Sequence, residues 1–214
     1  MSTTPDYLRT TFLERLAHDL RGAASTATGG LDEVSEQVKG SDGERFAEIA
    51  RRSIARVLRI STSLAEAAEL ERGALQLAKA DVDLLEIASA AADGARALEN
   101  RRAIEVLVTG TGRARGDAGR LKRATFELVS NAIRAARSKV TISVADGAGA
   151  TVTIVVSDDG PGCPPLVPRF TPTQERRGLG LGLAMAMDVA RAHGGTLKVE
   201  RDGGLTHVSL TMLA

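Results

Sequence analysis

Between about residues 6 and 72, apolar side chains recur at steps of three and four. They are Leu8, Phe12, Leu16, Leu20, Ala23, Ala27, Leu31, Val34 and Val38, then Phe46, Ala50, Ser53, Val57, Ile60, Leu64 and Ala67. A strand alternates with period two, so this period belongs to helices. Lys39-Gly40-Ser41-Asp42-Gly43 interrupts the series as a turn, and Ser41 or Asp42 is suited to cap the helix that follows. Two helices alone enclose little. Two such hairpins side by side make a four-helix bundle, so residues 1–72 are expected to form a homodimer.

Past Gly73 the pattern changes. Residues 73–83 read as a linker, and 84–214 as a second, mixed α/β domain of the sandwich type. Leu84 to about Arg101 is Ala-rich and helical, and Ala103–Thr109 reads as a strand. Asp117–Ala136 reads as a helix. Lys139–Ala145 and Thr151–Ser157 are strands joined at Gly147-Ala148-Gly149. A proline-rich loop from Gly160 to Arg177 leads to a helix over Leu179–Ala192, which Gly194-Gly195 stops. A hairpin around Asp202-Gly203-Gly204 closes the chain.

Composition removes several function classes. A formal net charge of +1 gives no bulk attraction for nucleic acid. Aromatics make up 2% of the chain and Trp is absent, so no stacking platform is available. The single cysteine, Cys163, excludes an internal disulfide and a thiolate cluster. No apolar run approaches the ~18 residues that span a bilayer, and the N-terminal stretch lacks the apolar core of a signal peptide. A cytoplasmic protein without membrane contact is expected.

Three motifs carry chemistry, in chain order. Glu127-Leu128-Val129-Ser130-Asn131 lies late on a helix, and its acid and amide are four apart on one face. Their oxygens suit a hard cation or a water. Asp158-Asp159-Gly160-Pro161-Gly162 follows a strand. Asp158 there is placed to accept from an exocyclic amine, and the glycines let backbone approach a flat base. Gly178-Leu179-Gly180-Leu181-Gly182-Leu183 opens a helix, where bare N–H groups seat phosphates. No Gly-Lys-Ser/Thr follows, so it is not a Walker loop. It also does not follow a first strand, so the dinucleotide fold is excluded.

The ordered triple resembles the ATP-binding domain of histidine kinases, within the gyrase, heat-shock-90 and mismatch-repair ATPase superfamily. The resemblance implies ATP and Mg²⁺ as cofactors. Asn131 then matches the metal-coordinating asparagine and Glu127 the upstream position of the same box. Arg134 stands where a phosphate-contacting Lys is usual. Asp158 matches the adenine-reading aspartate, with Gly160 and Gly162 in its turn. Gly178, Gly180, Gly182 and Leu183 match the second glycine box, and Phe170 the phenylalanine of the lid. Asp117, in Gly-Asp-x-x-Arg-Leu, fits a pattern seen before the Asn helix.

The same resemblance extends to Phe12-Leu-Glu-Arg-Leu-Ala-His18-Asp19-Leu20-Arg21, which is similar to the family's phosphoacceptor box. His18 lies two residues, about 200° around a helix, from both Leu16 and Leu20, and so points off the apolar seam. Asp19 can orient the imidazole or take its proton. The implied partner is a response regulator receiver domain, with input from a separate sensor protein or a region outside this chain. Two positions depart from the family pattern. Ala23 replaces the usual Pro five residues after the histidine. Gly22 replaces the Thr or Asn four after it, which predicts a poor phosphatase. The competing expectations are a phosphotransfer scaffold with a degenerate ATP domain, and an ATPase or serine kinase in which Glu127 activates water or a hydroxyl. His193, at a helix end, reads as a cation facing the helix dipole.

Overall fold

A computed structural model describes residues 4–71, 76–99, 104–162 and 181–214. The chain divides into two compact units, residues 1–75 and 76–214.

The first unit is a hairpin of α1 (Thr4–Gln37) and α2 (Asp42–Glu71). Gly40, at φ 75°, makes the turn. Ser41 caps α2 by accepting from the Gly43 N–H at 3.2 Å, and the Glu44 carboxylate reaches back to the Gly40 N–H at 2.9 Å. These two bonds satisfy donors that a bare helix start leaves orphaned. The two helices meet on small residues. Ala17, Ala24, Ala47 and Ala68 are buried, with Leu13 and Leu64 as the larger members. Ser61, fully buried, donates its hydroxyl to the carbonyl of Ala17 and ties α2 to the turn before His18. The stripe read from spacing lies partly outside this contact. Phe12, Leu16, Val34, Phe46 and Val57 of that series are exposed rather than packed within the hairpin. The three-and-four period describes a broad apolar stripe, and the intrachain contact uses only its edge.

The second unit is a two-layer α/β fold. A five-stranded sheet runs in the order β2 (Glu105–Gly110), β4 (Lys139–Gly147), β5 (Thr151–Asp158), β7 (Leu205–Leu213), β6 (Thr196–Asp202). Only β2–β4 is parallel. Helices α3 (Leu84–Glu99), α4 (Ala118–Ala135) and α5 (Leu181–Ala192) pack on one face. Alternation along the strands makes that face. Val140, Ile142 and Val144, then Val152, Ile154 and Val156, then Val208, Leu210 and Met212 all point inward. Each fully buried aliphatic contributes about 1.5–3 kcal/mol. The opposite positions, among them Thr141, Thr153, Ser209 and Thr211, are short and polar and less buried.

The expected linker is not uniform. Ala80–Asp83 is a strand, β1, antiparallel to β3 (Arg113–Gly116). Both strands are four residues long, too short to carry a hydrophobic period.

Candidate functional site

Asp117 opens α4. It has extended backbone, and its side chain accepts from the Arg120 N–H at 3.0 Å and from the Ala78 N–H at 3.0 Å. Burial pushes this carboxyl up, but those two N–H bonds and the Arg120 charge outweigh it and hold it below its ordinary range. The Asp117 N–H in turn donates to Nε2 of His193 at 3.0 Å, while His193 Nδ1 faces the Val189 carbonyl at 2.7 Å. Nε2 must therefore accept and Nδ1 must donate, which is the neutral imidazole. His193 is 2% exposed, and burial pushes its pKa down. The expected dipole-facing cation is corrected: His193 is an uncharged strut joining the end of α5 to the start of α4.

With α4 so anchored, three of its residues face the neighbouring elements. Glu127 is buried; its Oε1 lies 3.5 Å from Arg123 Nε. A Cβ at Gly182 would lie 2.6 Å from Glu127 Oε2, so the start of α5 passes hard against this carboxylate. Half-buried Asn131 accepts through Oδ1 from Arg134. Arg134 also pairs with Glu99, the last residue of α3, at 3.3 Å, and the Ser130 hydroxyl donates to the same Glu99 oxygen at 2.7 Å. Glu99 has no sequence signal at all; only the packing of α3 on α4 brings it here.

Asp158 ends β5 and is 6% exposed. Burial raises its pKa; the Asp159 charge adds to this, while the Gly160 N–H, Arg201 and His207 oppose it. Asp158 Oδ1 accepts from the Gly160 N–H at 2.9 Å. A Cβ at Gly160 would meet the Ala135 carbonyl at 2.5 Å, so the turn after β5 is pressed onto the end of α4. Asp159 faces elsewhere. It accepts from the Ser138 hydroxyl at 2.5 Å and from the N–H groups of Arg137, Ser138 and Lys139. The Ser138 bonds, and then those of Arg137 and Lys139, hold its carboxyl well below the usual range. Thr206, 2% exposed, is the cross-strand partner of Asp158, and nothing in the sequence singles it out. Leu183 packs against the core from α5.

The turn at Gly160 thus packs on the end of α4 and the start of α5 on its middle, which sets Glu127, Asn131, Asp158, Gly160 and Gly182 along one helix. Gly162 continues the turn at φ 114°. Gly178, Gly180, Phe170 and Cys163 lie outside the described residues. Among the described residues no group of three or more His, Cys, Asp or Glu gathers to hold a metal. The amide of Asn131 and the carboxylate of Glu127 fit a hard cation in donor type.

In the other unit, His18 and Asp19 stand out from α1 with side chains 85% and 81% exposed, and Nδ1 lies 3.4 Å from Asp19 Oδ1. Gly22 and Ala23 follow on the same helix, both exposed. Among the described residues no helix is long and apolar enough to cross a membrane.

Residues 116–214 match the family described as histidine kinase-, DNA gyrase B-, and HSP90-like ATPase. The signal transduction histidine-protein kinase/phosphatase MprB of Mycolicibacterium vanbaalenii is 30% identical over 200 residues, covering 86% of this chain and 41% of MprB. The sensor histidine kinase ZraS of Escherichia coli is 30% identical over 198 residues, covering 88% of this chain and 42% of ZraS. The chain therefore spans about two fifths of these curated relatives. Among solved structures, full-length ShkA in complex with AMPPNP superposes with a TM-score of 0.73 at 22% identity, over 94% of this chain and 45% of ShkA. A mycobacterial MprB structure gives 0.55 at 26% identity, over 62% of this chain and 97% of that one. The chain has the make-up of a sensor histidine kinase core, a helical region followed by a histidine kinase-, DNA gyrase B- and HSP90-like ATP-binding domain.

Proposed function

We propose that this chain is an ATP-dependent protein histidine kinase that phosphorylates His18 and passes the phosphoryl group to an aspartate of a response regulator receiver domain. One observation carries the reading. An exposed His–Asp pair on a helical hairpin and a domain that matches the histidine kinase-, DNA gyrase B- and HSP90-like ATPases occur in one chain.

In this reading Asp158 accepts from the exocyclic amine of adenine, and Gly160 and Gly162 let the turn lie against the base. The α5 N-terminus, entered through Gly178, Gly180 and Gly182, offers N–H groups to the phosphates. Asn131, with Glu127 beside it, would hold Mg²⁺, which when bound neutralises phosphate charge. Arg134, bonded to Asn131, would contact the same phosphates. A nitrogen of His18 attacks the γ-phosphorus, the N–P bond forms, and the bond to the bridging oxygen breaks, releasing ADP. Asp19 holds or takes the imidazole proton. The exposed stripe of Phe12, Leu16, Phe46 and Val57 supports a homodimer through residues 1–72 as a four-helix bundle. The protein would act in the cytoplasm, alone or joined to a sensor. The pairing of Glu127 with Arg123 disfavours the ATPase reading, because the carboxylate that would activate water faces a cation.

Labelled ATP tests this directly. His18→Gln should abolish phosphorylation and keep ATP binding, since acceptor and nucleotide residues lie in different units. The label on the wild type should be acid-labile, as phosphohistidine is. Full labelling of the variant, or acid-stable label, would remove His18 from the mechanism.

A further inference from the structure

At the base end of the nucleotide site, the helix-covered face of the sheet carries one cross-strand row. Val140 of β4 pairs with Asp158 of β5, Asp158 with Thr206 of β7, and Thr206 with Arg201 of β6. Asp158 and Arg201 are the only charged members, and buried Thr206 stands between them. Further along β6, Leu197 and Val199 occupy the same face and pack in or against the core. At Arg201 the side chain instead turns over the end of the sheet.

Its guanidinium reaches three oxygens on two separate segments. Nη1 lies 3.5 Å from Thr206 Oγ1, and Nη2 lies 3.4 Å from the Gly160 carbonyl and 3.5 Å from the Gly204 carbonyl. Gly162 also lies against it, although Arg201 as a whole is exposed. A Cβ there would lie 2.6 Å from Nη1, and the residue's φ of 114° already excludes most side chains. The guanidinium thus spans the turn after β5 and the β6–β7 turn. Only a planar fork with several donors can do this; a lysine presents one nitrogen. The position is also specific. These contacts gather at the Asp158 turn and the β6–β7 hairpin, not at the start of α5 where phosphates would sit.

We propose that Arg201 is a positioning residue for the nucleotide base: it braces the Gly160–Gly162 turn and, through Thr206, the row that ends in Asp158, so that a purine with an exocyclic amine meets a preformed surface. This rests on the ATP reading of the domain. It assigns Arg201 to the base and not to the phosphates, although an arginine in an ATP site would ordinarily be read as a phosphate ligand. Preorganisation of this kind raises affinity by removing the ordering cost of the turn.

The electrostatics give the role a signature that a merely structural arginine lacks. Burial and the neighbouring Asp159 favour protonated Asp158. The Gly160 N–H, Arg201 from β6 and His207 from β7 favour the ionised form, and α4 approaches the turn with the Ala135 carbonyl. Removing the Arg201 charge leaves Asp158 protonated to a higher pH.

The test is calorimetric titration of the full chain with ADP and with adenosine, for wild type, Arg201→Lys and Arg201→Ala, over a pH series. Both variants should lose roughly ten-fold in affinity, the size of one charge-assisted contact, and by the same factor for ADP and adenosine. The acid limb of the Arg201→Ala affinity profile should move to higher pH. A loss confined to ADP would make Arg201 a phosphate ligand and overturn the proposal. Unchanged adenosine affinity or an unmoved acid limb would also overturn it. Thermal melting separates binding from folding; if Arg201→Ala melts early, Arg201→Lys, which keeps stem and charge, decides the matter. A wild type that binds no ADP overturns the ATP reading and this role with it. Binding by wild type with unaltered variants overturns this role alone.

Discussion

The helix-interior glycines of α1 contrast with three glycines of the α/β unit. In α1 a Cβ added at Gly22, Gly29 or Gly30 would meet nothing within 4 Å. In the α/β unit a Cβ at Gly110 or Gly195 would fall inside a backbone carbonyl, at 1.9 and 1.8 Å, and at Gly116 it would meet Leu121 at 2.7 Å. Large side chains follow the same division. Leu121, Leu128, Ile142, Ile154 and Leu210 are almost completely inaccessible, whereas Phe12 and Phe46 of the hairpin are 63% and 70% exposed. One unit closes its own core. The other holds itself together mainly on alanines and leaves Phe12 and Phe46 outward.

The largest expected effect follows from that contrast. If the stripe of Phe12, Leu16, Phe46 and Val57 is a dimer seam, diluting the chain a thousand-fold should weaken the hairpin by about 4 kcal/mol through mass action. The α/β unit should be indifferent. Helical circular dichroism against concentration measures the first, and the melting of ADP-loaded chain the second. A hairpin whose melting ignores concentration would break the comparison, and light scattering would then report a monomer.

Within the α/β unit the adjacent carboxylates Asp158 and Asp159 should behave as differently as their surroundings. Asp158→Asn removes the charged acceptor proposed for the adenine amine, which typically costs about 1.5–3 kcal/mol, roughly a ten- to hundred-fold loss of ATP affinity. Asp159→Asn puts an NH₂ group against the N–H donors of the α4–β4 loop. It should lower the melting temperature and leave the affinity of the folded protein near wild type. Equal losses of affinity would show that the turn is read in the wrong register.

These two residues also show what a sequence can carry. The placement of Glu127–Asn131 on α4 and of Asp158–Gly160–Gly162 after β5 is legible because each motif is local and its neighbours are fixed by the strand or helix beside it. Helix α4 is legible for the same reason, with Asp117 as cap and a 3.6 period behind it. Strands β1 and β3 are not, because Ala-Asp-Val-Asp and Arg-Ala-Arg-Gly alternate over only four residues each, too few to mark a strand. Glu99, Arg201 and Thr206 act through partners brought in by tertiary packing, and no spacing announces them. The seam of α1 is half legible. Spacing finds the apolar stripe, but Leu13, Ala17 and Ala24 on its flank are the residues that meet α2.

A helix end says nothing about burial, and so the sequence alone points to the wrong charge for His193. The fold holds its neutral form, with Nε2 accepting from Asp117 and its pKa pushed below the ordinary 6.5 by burial. The sign of the pH dependence follows. Above pH 6.5 the imidazole is neutral in both folded and unfolded chains, and its contribution is full. As the pH falls below 6.5 the unfolded chain takes a proton that the folded one resists, and stability declines until the depressed folded pKa is passed. A ten-fold difference in proton affinity between the two chains is worth about 1.4 kcal/mol. Melting of the α/β unit should therefore drop as the pH falls below about 6.5. His193→Gln should be less stable at neutral pH and should flatten that drop. A variant as acid-sensitive as wild type would move the effect to another group.

The smallest expected effect returns to the glycines, and it sharpens the comparison most cheaply. Gly22 lies inside α1, four residues past His18, exposed and with open space where a methyl would go. A glycine in a helix interior costs about 1 kcal/mol against alanine, because the unfolded chain loses more freedom on ordering. Gly22→Ala should therefore stabilise the hairpin by about that amount. The same change at Gly195 should do the reverse, since its Cβ would lie 1.8 Å from the Thr211 carbonyl and the β6–β7 edge cannot yield. Opposite signs for one substitution would express the difference between a unit that packs incompletely on itself and one that is closed. If Gly22→Ala instead lowers the hairpin's melting temperature, the space beside it is filled by a second helix in solution. The dimer seam would then run over the turn that follows His18, and a hydroxyl placed there by Gly22→Thr would face the partner instead of a water.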